Sequence, residues 1–303
     1  MTPGRLLYLL KTKFGHGLRV AWYRDVIRPR ILATPPIPVG ADTTCEIHAL
    51  TSGDDWLNLM WALKSFLRAS GRRYALCIHD DGTLGADASA HLLAAFPGAR
   101  LIARSEADRR LADRLARYPR CAAFRASNKL APKVFDFAAC LESDRMMLLD
   151  SDILFFSKPD ALLAALETGT ANALGRDWRY GYCFDLATIQ PMLDFTLPPL
   201  INSGLGLVRK DSIRLDWIEE FLALPGVENN THRIDGHSHR IEQTLIALSS
   251  ARSGFTMLPA EYDVYLGAMR AEFPSRHYAG PTRHLMYREG MRRLVDAGFL
   301  KTS

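Results

Sequence analysis

From Cys45 onward, short apolar runs alternate with longer stretches of helical apolar spacing. "CEIHALTS" (45–52) predicts a strand. "DDWLNLMWALKSFLRASG" (54–71) predicts a helix, with Asp54 or Asp55 at its start and Gly71 after its end. "YALCIHDDGT" (74–83) reads as a strand ending in a polar turn, "ADASAHLLAAFPG" (86–98) as a helix, and "ARLIAR" (99–104) as a strand. "SEADRRLADRLARY" (105–118) reads as a helix opened by a cap-like Ser105-x-x-Asp108. "KLAPKVFDFAACLES" (129–143) predicts a helix with Pro132 in its first turn, and "DRMMLLDSDILFF" (144–156) a strand. A helix (159–168), a strand (171–175), the polar aromatic stretch "RDWRYGYCFD" (176–185) and a strand entry at "PPLINSGLGLVRK" (198–210) follow. "SIRLDWIEEFLAL" (212–224) and "HRIEQTLIALSS" (239–250) have helical apolar spacing. Such alternation predicts a single Rossmann-like α/β domain. Its sheet is mainly parallel, flanked by helices, and binds ligands at the carboxyl ends of its strands. "TPPIPVG" (34–40) cannot continue a helix, so the expected division is a segment 1–40 and a domain 41–303.

With 303 residues, 48% hydrophobic and 23% charged, the chain can bury one large core. Cys45, Cys77, Cys121, Cys140 and Cys183 are scattered without a CxxC, which predicts free core thiols in a reducing compartment. The net charge of +5 is concentrated at one end. Residues 1–30 carry seven basic residues against Asp25, whereas the remainder holds 31 basic and 32 acidic residues. A near-neutral body argues against nucleic acid as a partner. The basic segment also carries Leu6, Leu7, Leu9, Leu10, Phe14, Leu18, Trp22 and Ile27. Two readings stay open: an amphipathic segment on an anionic membrane surface, or a helix packed on the domain with its charges solvated. "LLYLL" is too short to span a bilayer and lacks a signal-peptide h-region and cleavage site. The expectation is a cytoplasmic protein, with peripheral membrane contact through residues 1–30 following only from the first of those readings.

The run "LLDSDILFF" (148–156) places Asp150 and Asp152 inside an apolar strand. Buried carboxylates are costly unless a cation meets them. Residues two apart on an extended strand face the same way, so the two carboxylates predict a hard divalent cation, Mg²⁺ or Mn²⁺, which would in turn hold phosphate oxygens.

"RMMLLDSDILFF" resembles the Asp-x-Asp strand of metal-dependent GT-A glycosyltransferases. The later motifs resemble glycosyltransferase family 8 and its relatives in order. "INSGLGLV" (201–208) is similar to that family's Asn-x-Gly strand and "IEQTLIAL" (241–248) to its Asp-Gln-Asp helix. "LPAEYDVY" (258–265) is similar to its Leu-Pro…Tyr-Asn element, and "HYAGPTR" (277–283) to its His-x-x-Gly-x-x-Lys-Pro-Trp ending. Glu242 and Thr244 stand where that helix has aspartates, Arg283 stands for lysine, and His284-Leu285 stands for Pro-Trp.

The resemblance spans about residues 44–287. It implies a GT-A fold and transfer of a sugar from a nucleotide-diphosphate donor, most commonly a UDP-sugar, to a glycan or lipid-linked acceptor, with retention of configuration. It implies metal ligands Asp150, Asp152 and His277, with imidazole beside carboxylates favouring Mn²⁺. Nucleotide and diphosphate contacts would come from Thr51, Ser52, Asp81, Lys133, Ser151, Gly280 and Arg283, with Lys129 and Arg125 competing for the role of Lys133. Asn202 and Trp178 would meet donor sugar and acceptor. Gln243 or Glu242 would stabilise an oxocarbenium-like state. Were the reaction inverting, Asp177 or Glu242 would be the base. Two other classes fit parts of the pattern. One is a non-catalytic glycan- or partner-binding relative. The other is a haloacid-dehalogenase-like phosphoryl transferase, against which Leu154 stands where Thr or Val is wanted.

Overall fold

The structure, a computed structural model, describes residues 4–5, 13–227 and 239–301. Strand β1 (Asp42–Thr51) leads into helix α1 (Trp56–Ser70), which Gly71 ends in the left-handed conformation (φ 68°) that costs glycine no Cβ clash. β2 (Tyr74–Asp80), α2 (Ala86–Ala95), β3 (Arg100–Ile102) and α3 (Arg104–Leu115) complete the parallel half. α4 (Pro119–Ser127) and α5 (Phe135–Cys140) precede β4 (Arg145–Leu149) and β5 (Ile153–Phe155). Then come α6 (Asp160–Thr168), β6 (Asn172–Gly175), β7 (Asn202–Arg209), α7 (Leu215–Phe221), α8 (His239–Arg252), β8 (Phe255–Met257) and β9 (Ser275–His277).

Seven strands form the main sheet in the order β3-β2-β1-β4-β7-β6-β8. Only β7 opposes its neighbours, β4 and β6; the other pairings are parallel. The apolar β4 is covered on both faces. Met147 and Leu149 belong to one core cluster with α1, and Met146 and Leu148 to a second with α5 and α8. Each such side chain contributes about 1.5–3 kcal/mol by leaving water.

Four local expectations change. The expected strand 144–156 is two strands. β4 stops at Leu149, Ile153 N–H donates to Asp150 O across a turn at 3.3 Å, and β5 pairs antiparallel with β9 in a separate ribbon. Asp150 and Asp152 are therefore juxtaposed by a turn, not by strand alternation. α3 begins at Arg104 after Ala103, so Ser105 lies inside the first turn and caps nothing there. The expected helix 129–143 is a 3₁₀ turn, Ala131–Lys133, followed by α5. Its ring-fixed φ lets Pro132 start that turn, while the lost N–H discourages an α-helical ladder through it. α4, announced only by Pro119 at its first turn, is an additional helix.

Of the basic N-terminal segment, residues 6–12, with Leu6, Leu7, Leu9, Leu10 and Lys11, lie outside the described residues. Val20, Ile27, Ile31 and Ile37 are buried in the core cluster of α1. Trp61 Nε1 donates to Arg28 O (2.9 Å), and Lys64 Nζ donates to Thr34 Oγ1 (2.7 Å) and Pro35 O (2.9 Å). The proline-rich stretch runs extended along the domain, with Ile37 N–H donating to Ala95 O and Val39 N–H to Pro97 O, each at 2.9 Å. Phe14, Leu18, Trp22, Val26 and Leu32 stay exposed, Leu18 at 75%. Cys45, Cys77, Cys121 and Cys140 are free and buried, and Cys183 is half-buried. Among the described residues no helix is long and apolar enough to cross a membrane.

Candidate active site and metal centre

The carboxyl ends of β1, β2 and β4 meet the start of β7, the end of β9 and the first turns of α8 around a cleft of about 500 Å³. Fifteen of the residues singled out from the sequence line it: Thr51, Ser52, Asp81, Lys133, Asp150, Ser151, Asp152, Asp177, Trp178, Asn202, Glu242, Gln243, His277, Gly280 and Arg283. The competitor Lys129 lines it too. Arg125 does not; its guanidinium is tied to Asp136 (2.8 Å) and Asp108 (2.5 Å).

At the cleft floor, ligand atoms of Asp150, Asp152 and His277 lie within 4.8 Å of one another. The turn after β4 presents both aspartates, and Asp150 N–H donates to Gly204 O (2.8 Å), locking the turn to β7. The β5–β9 ribbon brings in His277, whose partner in register is Ile153. His277 Nε2 is 3.0 Å from Asp152 Oδ1, and His277 Nδ1 has no hydrogen-bond partner among the described residues. Burial alone would raise the Asp152 carboxyl, but His277 and Arg283 outweigh it and hold Asp152 below its usual range. Burial would lower His277, but Asp152 and Asp150 raise it. Two carboxylates and an imidazole around a shared space, with the imidazole drawing a proton in to balance them, suit a divalent cation of the Mn²⁺ class. Gly204 keeps that space clear. A Cβ there would fall on His277 Cε1 and lie 2.7 Å from Asp150 Oδ2.

A second layer of charge surrounds this floor. Lys133 is buried, with Nζ 3.0 Å from Asp150 Oδ1 and 3.2 Å from Glu242 Oε1. Its burial is more than offset by those two carboxylates, which hold it charged. Glu242 is raised to about 7 on balance, by burial first and by Asp150, against the opposing pull of Lys133. Arg283 Nη2 is held by Asp55 Oδ1 (2.6 Å), while Nη1 points to Asp152 Oδ2 (3.6 Å). On the far wall, Asn202 Nδ2 donates to Asp177 Oδ2 (3.0 Å), and Gln243 Nε2 donates to Gly181 O (3.2 Å). Gly181 has no room for a side chain, because a Cβ would overlap the Gln243 amide. Trp178 is exposed at 37%, with the Arg179 guanidinium 5.0 Å from its ring.

Near β1 and β2, Ser52 Oγ accepts from Asp55 N–H (3.3 Å) and Asp81 Oδ1 accepts from Thr83 (N–H, 3.0 Å; Oγ1–H, 2.6 Å). Both perform turn chemistry as well as lining the cleft. Thr51 Oγ1 is buried and has no hydrogen-bond partner among the described residues. Sequence reasoning missed three contributors: Asp55, read only as a helix start, and the two glycines, Gly204 and Gly181. "INSGLGLV" contained the signal for Gly204, since glycine weakens a strand interior unless something approaches it closely.

No family model matches the chain, and no curated protein matches it by sequence. Solved structures do match. Mouse xyloside xylosyltransferase 1 in its apo form aligns at TM-score 0.52 with 14% identity, covering 82% of this chain and 99% of that one. The galactosyltransferase LgtC in complex with donor and acceptor sugar analogues aligns at TM-score 0.47 with 12% identity, covering 85% and 97%. Core-mannan synthase A from Aspergillus fumigatus, in its Mn/GDP form, aligns at TM-score 0.48 with 11% identity, covering 85% and 88%. The first likeness, with the seven-stranded mainly parallel sheet, establishes the GT-A fold.

Proposed function

We propose that this protein is a metal-dependent glycosyltransferase that moves a sugar from a nucleotide-diphosphate donor to a hydroxyl acceptor. The observation that carries the reading is the convergence of Asp150, Asp152 and His277 at the strand ends, between the cations Lys133 and Arg283. Two aspartates facing one cleft would repel a diphosphate unless a cation stood between them. A divalent ion held by these three residues supplies Lewis-acid stabilisation of the departing diphosphate.

The chain's own groups do the rest. Arg283, oriented by Asp55, neutralises phosphate oxygens with a planar fork. Lys133 fixes the Asp150 carboxylate and adds positive potential from below. Gly280 (φ 52°), with open space around its Cα, lets backbone approach the diphosphate. Thr51, Ser52 and Asp81 meet base and ribose, and Ser151 lies beside the diphosphate. Asn202, Gln243 and Asp177 offer amide and carboxylate groups to the sugar, and the exposed Trp178 face offers it a stacking surface. With retention, the leaving phosphate oxygen takes the acceptor proton and the Gln243 amide steadies the oxocarbenium-like state. Glu242, locked against Lys133, positions rather than reacts. UDP is the first donor nucleotide to try. The acceptor we infer is a glycan or lipid-linked sugar at the inner face of a membrane. The exposed Phe14, Leu18, Trp22 and Val26, spaced four apart beside Lys13 and Arg19, give the described part of residues 1–30 a surface suited to anionic lipid.

The deciding experiment is calorimetric titration of UDP and GDP with Mn²⁺ and with chelator, on the wild type and Asp152→Asn. Manganese-dependent binding of one nucleotide, lost in the variant, is expected. A folded protein that binds neither would overturn the reading. NMR of the product anomer tests retention, which an anomer opposite to the donor's would exclude. Sedimentation with anionic vesicles tests the membrane surface. Leu18→Asp/Trp22→Asp is expected to lower the bound fraction several-fold, and unchanged binding would remove that role.

A further inference from the structure

A second cluster of metal-ligating side chains lies inside the sheet, away from the cleft. Glu46 and His48 on β1 and Cys77 and His79 on β2 are at most 1% exposed, in a sheet interior that is otherwise apolar. The parallel register sets His48 beside Cys77, and strand alternation keeps all four side chains on one face. His48 Nδ1 lies 3.0 Å from His79 Nε2, and that nitrogen lies 3.3 Å from Cys77 Sγ. All three donor atoms fall within 4.8 Å of one another.

Without an ion these are hydrogen-bond contacts, and a small spreading of the three atoms lets one ion reach them all, since zinc sits about 2.0–2.1 Å from imidazole nitrogen and about 2.3 Å from thiolate sulfur. The surrounding groups prepare the donors. Glu46 Oε2 lies 3.3 Å from His48 Nε2, which places a carboxylate behind the ring whose Nδ1 faces His79. A carboxylate behind a histidine is the usual outer partner of a metal-bound imidazole. Glu46 is itself fixed by Arg100 and by Glu142 N–H (3.0 Å). The Phe137 ring packs 5.2 Å from His48 and 4.6 Å from His79, closing the face.

We propose that His48, Cys77 and His79 form a buried three-residue site for a zinc-class cation, with Glu46 as the outer partner of His48. Two nitrogens and a thiolate are a borderline-soft set, unlike the oxygen-rich Asp150–Asp152–His277 centre, so the two sites select different ions. Binding replaces the Cys77 S–H proton by the ion and releases that proton to solvent. The ion pins β1 to β2 a few residues before Thr51 and Asp81, where both strands open into the cleft. Being closed off, the site loads during folding and resists chelator once filled.

The test is refolding of the full chain with Zn²⁺ or Co²⁺ under excess Mg²⁺, followed by dialysis against EDTA and metal analysis. One retained zinc per chain is expected. The cobalt form should show a thiolate-to-cobalt charge-transfer band, which Cys77→Ser abolishes and Asp152→Asn leaves intact. No retained ion in the wild type, or a cobalt form without that band, overturns the proposal. If Cys77→Ser does not fold, the wild-type stoichiometry and spectrum decide it alone.

Discussion

Gly204→Ala adds one methyl at the point where three metal-site groups meet. The new Cβ would overlap His277 Cε1, lie 2.7 Å from Asp150 Oδ2 and 3.0 Å from Asn202 Oδ1, where ordinary contact begins at 3.4 Å. The backbone cannot retreat easily. Gly204 is inside β7, its carbonyl accepts the Asp150 N–H at 2.8 Å, and its strand is paired on both sides. The overlap, about 0.7 Å at Asp150 and greater at His277, must be relieved by moving those two side chains. Overpacking of this kind costs about 1–3 kcal/mol of stability. Displacing two of three ligands should weaken Mn²⁺ binding at least as much as loss of an outer partner does, about 10–100-fold. Manganese binding alone, read by the free-ion EPR signal, avoids any dependence on nucleotide. Gly280→Ala is the control. Its Cβ meets nothing within 4 Å, but its positive φ (52°) costs an alanine about 1–2 kcal/mol. It should lose similar stability and keep its Mn²⁺ affinity. If Gly204→Ala folds and binds Mn²⁺ as tightly as the wild type, Asp150 and His277 are not the ligands.

Lys133→Met leaves Glu242 and Asp150 facing each other in a buried space and should cost about 3–5 kcal/mol in urea unfolding, most of it recovered in Lys133→Met/Glu242→Leu. A single-variant loss under about 1 kcal/mol would show that the lysine is not paired as described. In the metal-free protein, Glu242 is raised to about 7 from 4.5, so its protonated form favours the fold. That contribution is full below pH 4.5 and is lost as pH rises to 7. Wild-type stability relative to Glu242→Gln should therefore fall by about 3 kcal/mol over that window, and parallel pH profiles would contradict it. Arg283→Lys keeps the charge but not the fork that joins Asp55 and reaches Asp152. Nucleotide-diphosphate affinity should drop about tenfold or more while Mn²⁺ affinity holds, and equal loss of both would place Arg283 in the metal site instead.

The chain itself determined the architecture. Alternating apolar periodicities specified the parallel half of the sheet, and an apolar run continuous on both faces marked β4 as central. Gly71 ended α1 and Pro132 opened a turn because their backbones allow little else. The chemical types of the site residues were also local information: carboxylates in an apolar context, and a histidine, glycine and arginine at fixed spacing. What stayed hidden depended on partners far along the chain. The turn that joins Asp150 to Asp152 exists because β5 leaves the main sheet to pair with β9, more than a hundred residues later. Asp55 became the anchor of Arg283, and Gly204 the clearance for His277, only when distant segments packed together. Likewise, His48 and Cys77 look like ordinary strand residues until parallel pairing sets them side by side. Periodicity reports how a segment meets water, a local property, whereas the register between strands is settled by the packing of the whole core.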